Sequence, residues 1–280
     1  MGAGRVGTAV AVLLQRAGHT IVAVSGGGAT RGRAASYLPD VRVVAPRDAV
    51  SDAELVIVGV PDDVIEETVL SLRDGVGVGQ WIAHLSGARG LDVLDAARAA
   101  GARRLALHPL QTVPDVAGAI ERIPGSAMAV TADDEEGYLL AERLAEELLA
   151  EPFRLEDRLR PLYHAAAVFA SNYLVVTSSV AADLFSAAGV PDPVHAMSPL
   201  QHATLDNVER LGAERALTGP AVRGDAGTID RHLAALTETA PEAIPAYVAM
   251  ARIALDLGER AGRLPRDRRD ACEDVLVRWS

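Results

Sequence analysis

The chain has 280 residues, 27 basic and 38 acidic side chains, and a formal net charge of −11. Every basic side chain is arginine, so Schiff-base catalysis, a P-loop lysine and a lysine general acid are all excluded. The acidic balance argues against a nucleic-acid partner, and 49% hydrophobic with 23% charged residues excludes a disordered or fibrous chain.

Proton chemistry therefore falls to His, Asp, Glu, Tyr or the single cysteine, Cys272, which rules out an internal disulfide and fits a reducing cytoplasm. No basic region followed by an apolar stretch opens the chain, so no signal peptide is expected. At about 150 residues per domain, the length predicts two domains.

From the N-terminus to about residue 155, short β-branched runs alternate with longer helical stretches. Strands are predicted at 21–24, 41–44, 55–60, 81–85, 104–107 and 127–130, and helices at 8–17, 64–72, 91–100 and 135–149. That alternation implies crossover units and a mostly parallel sheet covered on both faces. Beyond 155 the strand signals stop. Helices are predicted over 158–187, 193–211, 228–239 and 241–262, with breaks at Gly189-Val190-Pro191 and Gly219-Pro220. The expected architecture is an α/β Rossmann-type domain over 1–153 followed by an all-α domain over 154–280. The arginines of 263–269 are interleaved with Asp267 and read as a solvated helix face.

From 162 to 182 no Asp, Glu or Arg occurs. His164, Ser171, Asn172, Thr177, Ser178 and Ser179 would be expensive in lipid, so the stretch is predicted to be a central core helix and not a membrane span.

The chain opens Gly2-Ala3-Gly4-Arg5-Val6-Gly7 and runs straight into the apolar helix. In this pattern Gly2 makes the tight turn, Gly4 lets backbone approach a pyrophosphate, and Gly7 permits close helix–strand packing, with the diphosphate on the helix N-terminus. The strand that should precede such a motif would lie before Met1, and a missed or trimmed upstream start is expected. The second strand ends at Ser25 where an Asp or Glu would hold a ribose 2′-hydroxyl, and Arg31 and Arg33 follow. A guanidinium there suits a 2′-phosphate, so NADP is favoured over NAD, with Arg31 as the contact. Val60 and Pro61 end the next strand, where a nicotinamide ribose would lie, and Asp62 or Asp63 can cap the following helix.

Ligands bind outside the carboxyl ends of parallel strands. Two further ends carry polar groups: His84-Leu85-Ser86-Gly87, where Ser86 is a cofactor candidate, and His108-Pro109-Leu110-Gln111-Thr112, where Gln111 and Thr112 are substrate candidates. At about 100° per residue, Ser171 lies within about 20° of His164 on one helix face and Asn172 about 80° round. Arg223, after the rigid Gly219-Pro220 turn, suits a carboxylate; its alternative is an ion pair with Asp225 or Asp230.

These motifs, together with Tyr163-His164-Ala165-Ala166, Ser171-Asn172-Tyr173 and Leu217-Thr218-Gly219-Pro220, make the chain resemble the Rossmann-like plus DUF2520 family. That family sits in the 6-phosphogluconate dehydrogenase-like superfamily, near prephenate dehydrogenase and pyrroline-5-carboxylate reductase. Some members are regarded as an alternative ketopantoate reductase, making pantoate with NADPH for coenzyme A synthesis. The resemblance implies an NADP-binding domain, a helical domain that forms a homodimer, and a cytoplasmic enzyme that reduces a small oxo-acid, with no metal. Related β-hydroxyacid dehydrogenases carry Lys-x-x-x-Asn, with the lysine as proton donor. Here Asn172 is present, but Val168 stands four before it, so His164 or His108 becomes the candidate donor. Asn172 and Asn207 would orient the developing alkoxide and Arg223 would bind the carboxylate. A sensor that binds NADP without catalysis, and a prephenate-dehydrogenase-like enzyme suggested by His108-Pro109, are the alternatives.

Overall fold

Apolar residues recur on one face of the segment after the glycine motif, and basic Arg16 sits in its last turn, where it complements the helix dipole. That segment forms α1 (Arg5–Arg16) and ends at Gly18, whose φ of +101° favours glycine. The computed structural model describes residues 1–280 and divides into two compact units, Met1–Asn172 and Tyr173–Ser280.

In the first unit α1 is followed by β1 (Ala23–Val24), α2 (Thr30–Tyr37), β2 (Arg42–Val43), β3 (Leu55–Val58), α3 (Ile65–Leu72), β4 (Trp81–His84), α4 (Asp95–Ala99) and β5 (Arg103–Pro109). Then come α5 (Val116–Arg122), β6 (Ala127–Ala132), α6 (Glu135–Glu147), β7 (Glu151–Arg154) and α7 (Arg160–Ala167). The sheet is mostly parallel, as the alternation predicts. β3, β4 and β5 run parallel, with Val58 beside His84 and His84 beside Ala106. β6 is antiparallel to β5, β7 is parallel to β6, and β1 and β2 form a separate parallel pair. This register lines up the carboxyl ends of β3 and β4, which carry Gly59–Pro61 and Leu85–Gly87.

Successive strand residues face opposite layers. Ile82 joins Val56, Val58, Ile65, Val69 and Leu72 on one side, while Ala83 joins Leu105, Leu107, Met128 and Val130 under α1, α5 and α6 on the other. Burial on both faces explains why the strands read as continuous apolar runs. Two helices lie beyond the predicted set. α2 has little apolar stripe, burying only Thr30 and Ala34. α5 is capped by Asp115, whose carboxylate accepts from the Gly118 N–H at 2.7 Å. Strand signals end at Arg154, but the first compact unit continues to Asn172.

The second unit is helical: α8 (Tyr173–Ala187), α9 (Pro193–Leu211), α10 (Ala213–Ala216), α11 (Pro220–Arg223), α12 (Ala226–Thr239), α13 (Ile244–Arg260) and α14 (Arg266–Arg278). The predicted breaks fall where Gly189 and Gly219 adopt φ of +82° and +110°. Its core joins Ile229 and Leu233 of α12, Val248 and Leu255 of α13, and Cys272, Val275 and Leu276 of α14. The arginine-rich stretch thus opens a helix that contributes to a core.

Two expectations for the uncharged helix need correction. First, residues Val168–Asn172 form a π-helical segment between α7 and α8. Its i→i+5 bonding widens the turn, so a uniform 100° advance does not carry from His164 to Asn172. Second, α8 contains no buried residue, and Leu174, Val175 and Val176 are exposed. By length and composition alone, Asp157–Ala187 could cross a membrane. An uncharged run shows that a surface is better removed from water; it does not show which neighbour removes it.

Candidate active site and cofactor cleft

The glycine turn is shaped by close packing. Gly2 has a φ of +66°, and a Cβ there would overlap Val60. A Cβ on Gly7 would lie 3.0 Å from the Gly2 carbonyl oxygen, and one on Gly59 would lie 3.2 Å from the Gly7 Cα. A Cβ on Gly4, the N-cap of α1, would meet the carbonyl oxygens of Gly59 and Gly2 at 3.4 and 3.8 Å, ordinary contact distances. No side chain caps that helix and no acidic residue occupies its first turn, so its leading amides are available to an anion.

A cavity of about 480 Å³ opens at this turn, lined by Gly2, Gly4, Ser25, Thr30, Arg33, Val60 and Pro61 among others. The hydroxyls of Ser25 and Thr30 are buried and have no hydrogen-bond partner, as does that of Thr8 on α1. Orphaned donors around a glycine cradle and an uncapped helix start are what a nucleotide diphosphate would satisfy. The residues therefore fit a dinucleotide. Arg33, not Arg31, lines this cavity, and its Nε donates to the Ala3 carbonyl at 2.6 Å. Arg31 lies exposed on α2 and outside the cavity lining. Arg5 reaches away, donating to the Pro114 carbonyl at 2.9 Å and tying α1 to the loop before α5; Val6 packs against the core beneath.

A second polar cluster sits at the ends of β4 and β5. His84 is fully buried: its Nδ1 accepts from the Ser86 N–H at 3.2 Å and its Nε2 donates to the Gly90 carbonyl at 3.1 Å. This pattern fixes a neutral tautomer, and burial with the nearby Arg160 charge pushes its pKa down to about 3. Ser86 is also committed. Its hydroxyl donates to Asp62 at 2.6 Å and accepts from the N–H groups of Ala88 and Arg89 at 3.2 and 3.0 Å. Asp62 consequently caps no helix; it holds the loop after β4.

Arg160 closes this loop. It is fully buried, and donates to the Arg89 carbonyl at 2.6 Å, to Thr131 Oγ1 at 2.9 Å and to the Ser86 carbonyl. Sequence reasoning missed it. The available signal was its position in the first turn of α7, where a cation opposes the helix dipole and needs another reason to be present.

His108 lies next to this anchor. Its Nδ1 is 2.7 Å from the Tyr163 hydroxyl, and its ring centre is 6.4 Å from that of His164. Gly87 makes room for both: a Cβ there would meet His108 Nε2 at 2.7 Å and His164 Cδ2 at 2.8 Å. Burial, then the charge of Arg160, lowers the His108 pKa to about 4, and burial raises Tyr163 to about 12. The first unit thus brings together two predicted donors, His108 and His164, with Tyr163 as an unanticipated partner.

Gln111 and Thr112 are exposed; the Gln111 side chain accepts from the Thr112 N–H at 2.9 Å. Asn172 ends the π-helical segment and is exposed. In the second unit, Asn207 is half-buried on α9 and Arg223 is exposed at the end of α11. Arg223 makes an ion pair with neither proposed aspartate. Asp225 caps α12 through Thr228 at 3.0 Å, and Asp230 takes Arg278 at 3.2 Å and Trp279 at 3.1 Å. No group of three or more His, Cys, Asp or Glu is arranged to hold a metal ion.

Residues 1–109 match the Rossmann-like domain family, and residues 126–254 match the domain of unknown function DUF2520. No curated protein matches the chain. Among solved structures, BF3122 from Bacteroides fragilis, provisionally assigned as an NADP oxidoreductase, is 24% identical with a TM-score of 0.74, covering 91% of this chain and 96% of that one. Protein TM1727 from Thermotoga maritima is 22% identical with a TM-score of 0.66, covering 84% and 88%. A reductive aminase from Aspergillus terreus, solved with NADPH and ethyl levulinate, is 18% identical with a TM-score of 0.67, covering 98% and 96%. At these identities the likeness is one of fold.

Proposed function

For a chain that joins a Rossmann-like domain to a DUF2520 domain, we propose an NADP(H)-dependent oxidoreductase that reduces the carbonyl of a small oxo-acid, with ketopantoate the first substrate to test. The observation that carries this reading is the cradle at the start of α1: an uncapped helix terminus, glycines that backbone contact forbids from enlarging, and the unpaired Ser25 and Thr30 hydroxyls. Gly2, Gly4 and Gly7 would hold the diphosphate, and Val60 and Pro61 would flank the nicotinamide ribose. Arg33 joins Arg31 as a candidate for the 2′-phosphate. When bound, the cofactor supplies the hydride.

The chain's own task is the proton. His108, with a pKa near 4, is neutral at pH 7 and holds no imidazolium proton to give, which favours His164 as the donor. Tyr163 orients His108 through Nδ1. Within the first unit, Asn172 remains the proposed contact to the alkoxide. Gln111 and Thr112 are further substrate contacts.

Purified protein should quench or shift NADPH fluorescence on binding and then oxidise NADPH when ketopantoate or a related oxo-acid is added. The neighbouring fold of a reductive aminase makes an oxo-acid plus amine a sensible second panel. His164→Ala should slow turnover by about 10²-fold or more, the usual contribution of a general acid, and His108→Ala by less. If neither substitution slows it by about tenfold, the assignment of roles is wrong. Tight NADPH binding with no turnover across both panels would instead favour a sensor, the reading that the absence of lysine supports.

The proposal includes a cytoplasmic homodimer. The exposed Leu174, Val175 and Val176 of α8, with Leu200, Leu205 and Val208 of α9, are apolar surface that a second copy would cover. Sedimentation at micromolar concentration should give twice the monomer mass.

A further inference from the structure

The His108 ring is bound at one nitrogen and open at the other. Its Nδ1 lies 2.7 Å from the Tyr163 hydroxyl. That phenol is held between two edge-on rings, with centres 5.5 Å away in His108 and 5.9 Å away in Phe153. At the opposite edge of the imidazole, Nε2 and Cε1 face Gly87, where a Cβ would stand 2.7 and 2.8 Å from them. A side chain at position 87 would cover this nitrogen, and glycine leaves it open. At the neighbouring end of β4 the polar side chains are already engaged: His84 and Ser86 bond one another's groups, Asp62 and the backbone.

A neutral imidazole carries one N–H, and the bond made by one nitrogen decides where that hydrogen sits. The ring is neutral at pH 7, since burial, then the charge of Arg160 and then His164 oppose an imidazolium and lower its pKa to about 4. Tyr163, raised to about 12 by burial, keeps its proton. A phenol O–H is a much stronger acid than a neutral imidazole N–H, and an imidazole nitrogen is a much stronger base than a phenol oxygen. Tyr163 therefore donates, Nδ1 accepts, and the ring hydrogen falls on Nε2.

We propose that Tyr163 is a positioning residue that locks His108 as its Nε2–H tautomer and that, on the reductase reading of the site, on which this second part rests, the N–H donates a hydrogen bond to the oxygen of the substrate carbonyl. A preorganised neutral N–H in a buried setting polarises a carbonyl and stabilises the alkoxide that forms from it. The proton that reaches the alkoxide still comes from His164, and His108 keeps its own throughout. A ring that resists becoming charged beside Arg160 is poorly suited to giving up a proton and well suited to this task. Gly87 then acts as the opening through which the N–H is presented.

Long-range proton–nitrogen correlation on the labelled full chain at neutral pH reads the tautomer directly, with His108 assigned by the signals lost in His108→Gln. Nδ1 should show the shift of an unprotonated ring nitrogen and Nε2 that of a protonated one. Tyr163→Phe keeps the ring packed between His108 and Phe153 and removes only the hydroxyl. Its two His108 nitrogen shifts should move toward each other as both tautomers become populated. The reverse assignment in the wild-type chain, or an unmoved pair of shifts in Tyr163→Phe, would overturn the lock. Turnover is a separate readout. With NADPH and an oxo-acid that the wild-type chain reduces, Tyr163→Phe should lower kcat by about five- to tenfold, the contribution of one hydrogen bond, and change KM by less than about twofold. An unchanged kcat, with or without a raised KM, would overturn the donor role. If the tautomer responds as expected and no oxo-acid is reduced, the reductase reading fails and the donor role falls with it, while the lock stands.

Discussion

The loop after β4 and the turn before α1 stand at neighbouring strand ends, yet they treat polar groups in opposite ways. In the loop, Ser86, His84, Asp62 and Arg160 satisfy one another and the backbone. At the turn, the hydroxyls of Ser25 and Thr30 are buried with nothing to bind, and α1 begins without a cap. Buried polar groups are ordinarily paired, so the saturated region is scaffold and the unsaturated one is prepared for a ligand. The lesson is that a Ser or His at a strand end is not by itself a contact to cofactor; what matters is whether its hydrogen bonds are already used.

The largest expected effect comes from breaking the saturated side. Arg160→Met leaves three acceptors without a donor, and at about 1–3 kcal/mol for each buried orphan the unit should lose about 4 kcal/mol. Thermal melting should fall by roughly 10 °C.

The next effect is one of pH. His84 and His108 titrate at about 3 and 4 in the folded chain, against a reference of 6.5. Between those values the unfolded chain binds more protons, so stability is full above about pH 6.5 and declines as pH falls toward 4. Each histidine should contribute a loss of up to about 1.4 kcal/mol per pH unit there, and His108→Gln should reduce the slope of Tm against pH between 6.5 and 4.5. A steepened slope would contradict the depressed value.

On the unsaturated side, Gly2→Ala forces a left-handed backbone on a side chain that meets Val60. It should destabilise the fold by about 1–2 kcal/mol and weaken NADPH binding at least about tenfold. Gly77→Ala, where a Cβ meets nothing within 4 Å and which lies outside the cavity lining, is the control and should leave both unchanged. The smallest and most telling change is Thr30→Val. Removing an unpaired buried hydroxyl should leave ligand-free stability equal or up to about 1 kcal/mol higher, while NADPH affinity falls. Calorimetry and a binding titration on one preparation would expose that opposition of signs.

Much of the fold was legible in the residues. The change from alternating strands to helices after Arg154, the sheet's parallel character and the breaks at Gly189 and Gly219 all follow from local pattern. α2 was illegible because its interior has no apolar period, and the antiparallel β5–β6 pairing because direction depends on contacts remote in sequence. In the site, the strand-end position of His108 and the glycine turn before α1 were legible, whereas His164, read as part of the helical domain, lies in the first unit beside Gly87 and His108. Arg33 was passed over for Arg31, since only the rotation of α2 decides which guanidinium lines the cavity. The loss of charge along α8 was visible, but its outward orientation was not.

Three anchors described above are guanidinium groups: Arg5 on the Pro114 carbonyl, Arg33 on Ala3 and Arg160 on the β4 loop. A guanidinium stays protonated at any physiological pH and is a poor nucleophile, whereas an ε-amine condenses readily with aldehydes and ketones. A chain whose proposed work is to handle reactive carbonyl compounds therefore offers them no side-chain amine anywhere, and long exposure to substrate should leave its side chains free of imine adducts.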